Sequence, residues 1–297
     1  MILNIGYFAD GPWSHKTLDK LINDPEIKIS FICVRYDSED ERLKEYAKRF
    51  KIDYLKHLNV NSDEFISNIK SYDCDLFVSM SFNQIFKSKI INLAKYKTIN
   101  CHAGKLPFYR GRNVLNWVLI NDEKEFGITV HYVDEGIDTG DIISQKTFPI
   151  TDQDNYNTLL NKAYVECSNI LYSVIINFKK GYVESKKQIE FHPVGFYCNE
   201  RNNGDEIINW NQTSREIFNF VRAICAPGPK ARAFVNKKEM KINKVELINN
   251  APNYKLIVGS VLHRTPTTFT IKTKDSFIKV IEFEFNGNIK IGDRFEV

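Results

Sequence analysis

Short apolar runs alternate with charged, amphipathic stretches along the first half of the chain. Ile2–Phe8, Ile27–Val34 and Leu76–Met80 have strand length and are mostly apolar. Between them, Ser14 can cap a helix carrying Leu18, Leu21 and Ile22. Glu39–Phe50 mixes charged and apolar positions as a helix does, and Ser62 can cap Phe65–Ile69. Strand, helix, strand, helix in this order predicts an α/β fold: a Rossmann-like, doubly wound, mostly parallel sheet with helices on both faces. Further strands are predicted at Thr98–His102 and Gly127–Val133, and helices at Asn113–Leu119 and Tyr156–Phe178. Ligands in such sheets bind beyond the carboxyl ends of the strands, where loops 9–13, 81–86, 103–113 and 134–141 fall.

The pattern changes after Lys180. Gly181–Asn209 is polar and irregular and reads as a connector. From Trp210 onward a helix at Thr213–Cys225 precedes four short strands, at Ala231–Val235, Lys255–Val261, Thr268–Thr273 and Phe277–Phe283. Turn signals between them predict a small open β-barrel, OB-like in kind. The expected organisation is a catalytic domain over residues 1–180, a connector over 181–209 and a smaller, mainly β domain over 210–297.

Composition narrows the possible partners. The net charge of +4 is mild, and the lysines of Glu39–Phe50 are interleaved with acids, which suits a solvated helix face better than a nucleic-acid arm. The six cysteines form no CxxC pair and no zinc-ligand spacing, so free thiols in a reducing, cytoplasmic setting are expected, without metal. No signal peptide is recognised, and no apolar run approaches the ~18 residues that span a bilayer.

The stretch Asn100–Asp141 carries the candidate chemistry. Side chains on a strand alternate faces, so Asn100 and His102 point one way and Cys101 the other. That separates the thiol from the imidazole and leaves Cys101 as a buried structural residue. Asp138, in the turn GIDTGD after the strand Gly127–Val133, can reach the imidazole from a neighbouring strand end. An amide donor, a titratable ring and an orienting acid suit acyl or proton transfer through a tetrahedral intermediate. His15 and His131 lack convergent ligands and read as surface or core histidines.

The motifs NxHxxxLPxxRG and GxTxHxxxxxxDxGxI resemble the N10-formyltetrahydrofolate-dependent formyltransferases. By that resemblance Asn100, His102 and Asp138 form the catalytic set, with Asp138 favouring the charged form of the ring. The formyl donor is N10-formyltetrahydrofolate. Its pteridine is expected against the backbone of Gln84, Ile85 and Phe86 and of Asp134, Glu135, Gly136, Ile137 and Asp138, with Arg112 at a further folate-contacting position. Glycines 136 and 140 would serve close approach and positive φ. The YRGRNVLNW segment (Tyr109–Trp117) and the ADGPW loop resemble the nucleotide-sugar branch, and the long basic insertion of the tRNA enzymes is missing between Val34 and Phe50. The expected acceptor is therefore a nucleotide-linked amino sugar, best a dTDP-linked amino-dideoxyhexose of bacterial surface polysaccharide. Nucleic acid and membrane are not expected as partners. Asp10, Trp13, Lys105, Arg110, Trp210 and Arg222 are the candidates for the sugar-nucleotide side, through ring stacking and bidentate phosphate contacts. A methionyl-tRNA formyltransferase is the alternative, and a non-enzymatic nucleotide-binding module the second. The family also implies a possible homodimer through the C-terminal domain. One departure stands out: Gly104-Lys105 replaces the Ser-Leu pair of the more usual HxSLLP.

Overall fold

The computed structural model describes residues 2–181 and 183–296; Met1, Tyr182 and Val297, at the ends of or within the expected segments, lie outside them. The chain forms two compact units. One comprises Met1–Arg112, Phe126–Phe148 and Asn161–Cys198, the other Asn113–Glu125, Pro149–Leu160 and Asn199–Val297.

The elements follow in chain order. The first are β1 (Leu3–Ala9), α1 (Gly11–Ile22), β2 (Ile27–Val34), α2 (Glu41–Phe50), β3 (Asp53–Lys56), α3 (Asp63–Lys70) and β4 (Leu76–Met80). Then come α4 (Ser88–Ile91), β5 (Thr98–His102), β6 (Arg110–Gly111), α5 (Val114–Ile120), β7 (Glu125–Tyr132) and β8 (Ile142–Pro149). α6 (Tyr156–Lys179), α7 (Gln188–Phe191), β9 (Tyr197–Cys198) and α8 (Ser214–Ile224) precede β10 (Ala231–Val235), β11 (Lys238–Leu247), β12 (Val261–Arg264), β13 (Phe269–Lys272) and β14 (Phe277–Phe285).

The large sheet has the order β3-β2-β1-β4-β5-β7-β8. It is parallel from β3 through β5, and β7 then runs antiparallel to β5. The α/β reading is right. Local chemistry explains the helices. Ser62 Oγ accepts from Phe65 N at 3.2 Å, and α3 buries Phe65 and Ile69. The Asp40 carboxylate caps α2, which buries Leu43 and Ala47 and leaves its lysines in water. α1 begins earlier than expected, at Gly11, because Pro12 is pre-organised for a first turn. Ser14 is consequently buried inside that helix, its Oγ donating to Gly11 O at 2.8 Å. Beneath the strand ends, the Phe8 ring meets Phe31, Phe77 and Phe86 edge to face at centroid separations of 5.5, 5.4 and 5.0 Å. That cluster makes β1, β2 and β4 a rigid base for the loops above them.

In the second unit, the Thr213–Glu216 capping box starts α8, and five antiparallel strands pair in the order β10-β11-β14-β13-β12. Bridges Val235–Phe295 and Ser260–Arg294 bring both ends of this sheet to one C-terminal segment, the curvature of a partly closed barrel. Two strand expectations need correction. Lys255–Val261 is largely irregular, and the strand there is Val261–Arg264. β11 went unpredicted because Lys, Glu and Asn fill its outward positions, while a register shift between Ile242 and Val245 breaks the alternation of the buried Met240, Ile242 and Val245.

Candidate active site

Asn100 and His102 leave β5 on the same side, and Cys101 turns away, its Sγ 3.7 Å from Cys167 O. The antiparallel register sets Asn100 opposite His131 and His102 opposite Thr129. Thr129 Oγ1 donates to Gly104 O at 2.7 Å and accepts from Gln145 Nε2 at 2.9 Å, anchoring the loop after His102.

Asp138 closes the arrangement from the turn after β7. Its backbone is left-handed, with φ of 54°. Oδ2 accepts the Gly111 N–H at 2.9 Å and lies 3.5 Å from His102 Nδ1. Oδ1 lies 3.5 Å from both Asn100 Nδ2 and His131 Nε2. Burial disfavours the ionised carboxyl, yet the charge on His102, the hydrogen bond and charge of His131 and the Gly111 N–H together hold it well below the usual carboxylate range.

The hydrogen bonds fix the protons on the rings. His102 Nε2 is 2.7 Å from Tyr109 O, and a carbonyl only accepts, so Nε2 carries a proton and Nδ1 is the nitrogen that faces Asp138. His131 Nδ1 donates to Tyr132 O at 2.7 Å, which turns Nε2 toward Asn100 at 3.2 Å. His131 is thus a buried histidine that faces the site. Its signal in the sequence was parity: Thr129 and His131 share a strand face, and an antiparallel partner puts that face beside Asn100.

Gly104 has a direct reason. A Cβ there would lie 2.4 Å from both His102 Nε2 and Tyr109 O, inside the hydrogen bond that orients the ring. Lys105 is half-buried, and its main chain passes so close to Gly127 that a Cβ on that glycine would meet Lys105 Cα at 2.7 Å. Neither Gly136 nor Gly140 has a positive φ. The constraint there is crowding, since a Cβ on Gly140 would sit 1.8 Å from Tyr132 O and one on Gly136 2.1 Å from Thr139 Oγ1.

The two loops expected to receive folate spend their polar side chains within the protein. Gln84 spends its side chain on Val60 N (2.9 Å) and His57 O (2.9 Å), Asp134 on Gly136 N and Thr139 Oγ1, and Glu135 on Ser88 N and Oγ. Phe86 is buried, whereas Ile85 and Ile137 are about half-exposed apolar surface. Main-chain groups framed by apolar side chains fit a flat, hydrogen-bonding heterocycle. A cleft of about 530 Å³ borders the turn along Tyr132–Glu135 and Gly140. Arg112 is exposed, its N–H bound to Cys198 O at 3.2 Å.

Of the expected substrate-side residues, Asp10, Trp13, Lys105 and Arg110 belong to the first unit and Trp210 and Arg222 to the second. Asp10 pairs with Arg35 at 3.3 Å, and burial pushes its carboxyl up. Trp13 sits edge-on to Tyr164. Arg110 is committed to Gln188 Oε1 through Nε and Nη2, at 3.1 and 2.6 Å. In the second unit Trp210 is fully buried against Phe295, a core position with no face left for stacking on a ligand. Arg222 is buried there too, Nη1 donating to Thr151 O and Asp154 O and Nε to Asn219 Oδ1, so its guanidinium holds loop backbone rather than phosphate. Among the described residues no group of three or more His, Cys, Asp or Glu could hold a metal ion, and no helix is long and apolar enough to cross a membrane. All six cysteines are free.

Comparison with known proteins supplies the family. Residues 13–175 match the formyl transferase family model and residues 202–293 the formyl transferase C-terminal domain. A methionyl-tRNA formyltransferase of Halothermothrix orenii is 31% identical over 306 residues, covering 99% of this chain and 96% of the relative. Another, of Thermodesulfovibrio yellowstonii, is 34% identical over 276 residues, 88% of each. Among solved structures, the sugar 3N-formyl transferase WlaRD, determined in the presence of dTDP and 5-N-formyl-THF, superposes with a TM-score of 0.71 at 23% identity over 97% of this chain and all of that one. An N-formyltransferase of Helicobacter canadensis, in complex with folinic acid and dTDP-3-aminofucose, gives 0.70 at 24% identity over 96% of this chain and all of that one.

At those identities the sugar enzymes share the fold, while the relatives of 28–34% identity are methionyl-tRNA formyltransferases. The expected nucleotide-sugar acceptor is therefore wrong. The motif that suggested a sugar has structural duties instead. Arg110 holds Gln188, Asn113 Oδ1 accepts from Arg201 N at 2.9 Å, and Trp117 Nε1 donates to Asn199 O at 2.9 Å.

Proposed function

Because this chain belongs to the formyl transferase family, we propose that it moves the formyl group of N10-formyltetrahydrofolate onto the amine of methionyl-tRNA. The observation that carries the acceptor is the 31% identity to a methionyl-tRNA formyltransferase across 99% of the chain. When bound, the donor supplies an activated formyl group whose oxygen gathers negative charge as the amine attacks. Asn100 Nδ2 supplies an amide donor for that oxygen. His102 Nδ1 takes the proton of the attacking amine and passes it to the folate N10 as the bond between N10 and the formyl carbon breaks, while Nε2 stays tied to Tyr109 O and keeps the ring still. Asp138, 3.5 Å from Nδ1, balances the charge the ring acquires. His131 orders Asn100 and Asp138 from the opposite strand. Backbone groups of residues 84–86 and 134–137 receive the folate, with Arg112 as a further contact.

The test is incubation with N10-formyltetrahydrofolate and methionyl-tRNA, then mass analysis of the released amino acid. Formyl-methionine is expected. Unchanged methionine, with formyl gain on glycinamide ribonucleotide or on an amino-sugar nucleotide run in parallel, would overturn the acceptor.

A further inference from the structure

Gln188 is a buried neutral side chain in a polar stretch of sequence, and every hydrogen-bonding direction of its amide is used. Oε1 accepts from Arg110 Nε (3.1 Å) and Nη2 (2.6 Å), and Nε2 donates to Asp138 O and Gly140 O, both at 2.8 Å. The orientation is fixed by chemistry, because a guanidinium only donates and carbonyls only accept. Arg110 lies between two residues that touch the candidate catalytic groups. Tyr109 O receives the His102 proton, and Gly111 N–H binds Asp138 Oδ2. Flanking backbone pairs hold both partners: Lys186 exchanges hydrogen bonds with Ile142 at 2.8 and 2.9 Å, and Arg110–Gly111 pairs with Tyr197–Cys198.

We propose that Gln188, gripped by Arg110, is a positioning residue that fixes the Asp138 carboxylate against His102. This deepens, and rests on, the reading of Asn100, His102 and Asp138 as formyl-transfer machinery. An aspartate tolerates the left-handed region, so the turn needs its neighbours to set where the carboxylate points. The two bonds from Gln188 bracket Thr139 and pin the turn from one side, as Gly111 N–H pins the carboxylate from the other.

The test uses the full chain and two variants. Gln188→Glu keeps the Arg110 contact as an ion pair but faces two carbonyls with an acceptor, and Gln188→Met fills the space without hydrogen bonds. Amide exchange at Gly111, followed by NMR, reports the Asp138 carboxylate directly. It should quicken about tenfold in both variants, the loss of one or two net hydrogen bonds, while amides of β1 and β4 keep their rates. Single-turnover formylation of methionyl-tRNA should fall about 10²-fold, as expected for a misplaced catalytic group. Unchanged Gly111 exchange, or quickening shared with β1 and β4, would refute the positioning role. Absence of turnover in the unmodified protein would remove the acceptor reading alone, since Gly111 exchange decides the clamp without it.

Discussion

Two aspartates, one in each unit, look alike and differ in what holds them. Asp138 and Asp122 both have left-handed backbones, with φ of 54° and 55°, and both carboxyls are held well below the usual range. Asp122 is held mainly by Arg215, with Lys124 at 3.1 Å and Arg222 at 3.7 Å. Asp138 is more deeply buried and faces two imidazoles and a backbone N–H. A guanidinium does not give up its proton, so the Asp122 cluster can only tie chain segments together. Imidazoles exchange protons near neutral pH, so the same carboxylate geometry suits the proton transfer proposed for this site. The partner decides the role.

Breaking each cluster at its cation gives the largest contrast. His102→Asn should slow single-turnover formyl transfer to methionyl-tRNA about 10³-fold, within the range of a lost general base. Arg215→Gln should leave that rate intact and lower the melting temperature instead. A His102→Asn protein that still turns over at the parent rate would remove the imidazole from the chemistry.

At the carboxylates themselves the difference should be somewhat smaller. Asp138→Asn keeps an acceptor for Gly111 N–H but loses the charge beside His102 Nδ1, and about a 10²-fold drop in rate is expected. Asp122→Asn should cost about 1 kcal/mol of stability, because its pair with Arg215 is one-third exposed and screened. Equal rate losses in the two variants would erase the distinction drawn between them. Gly104→Ala comes next. The new methyl must displace His102 or Tyr109 O by up to ~1 Å, which is expected to lower the rate about tenfold or more, with binding of the stable analogue 5-formyltetrahydrofolate retained.

What the sequence disclosed follows the same division. Asn100 and His102 were legible together because strand alternation is local, and so was the Ser62 cap. His131 was not, because its part depends on β7 running antiparallel to β5 in one register. Gln188 sits among residues with no periodic pattern, and its three partner residues lie 48 to 78 positions away. β11 hid behind its charged outward face. The acceptor was misread for a related reason: Arg110, Asn113 and Trp117 form a recognisable string, yet their side chains serve folding contacts that a motif does not reveal.

The smallest predicted effect is on stability, and it separates the two aspartates by environment. A carboxyl whose native pKa is depressed stabilises the fold above its unfolded pKa of about 3.9 and loses that contribution as pH falls through the lower native value. Both residues obey this sign. The stability lost in Asp138→Asn, about 2 kcal/mol for hydrogen bonds to a buried charge, should therefore hold at pH 5–6 and shrink progressively below about pH 4. Asp122→Asn should follow the same curve at about half the height. Salt then distinguishes them. At about 1 M, where the screening length is ~3 Å, the exposed Asp122–Arg215 attraction should largely vanish while the buried Asp138 contribution survives. Urea denaturation of the two variants and the parent protein at pH 6, with and without that salt, measures it; identical salt sensitivity would mean that burial does not separate the two sites.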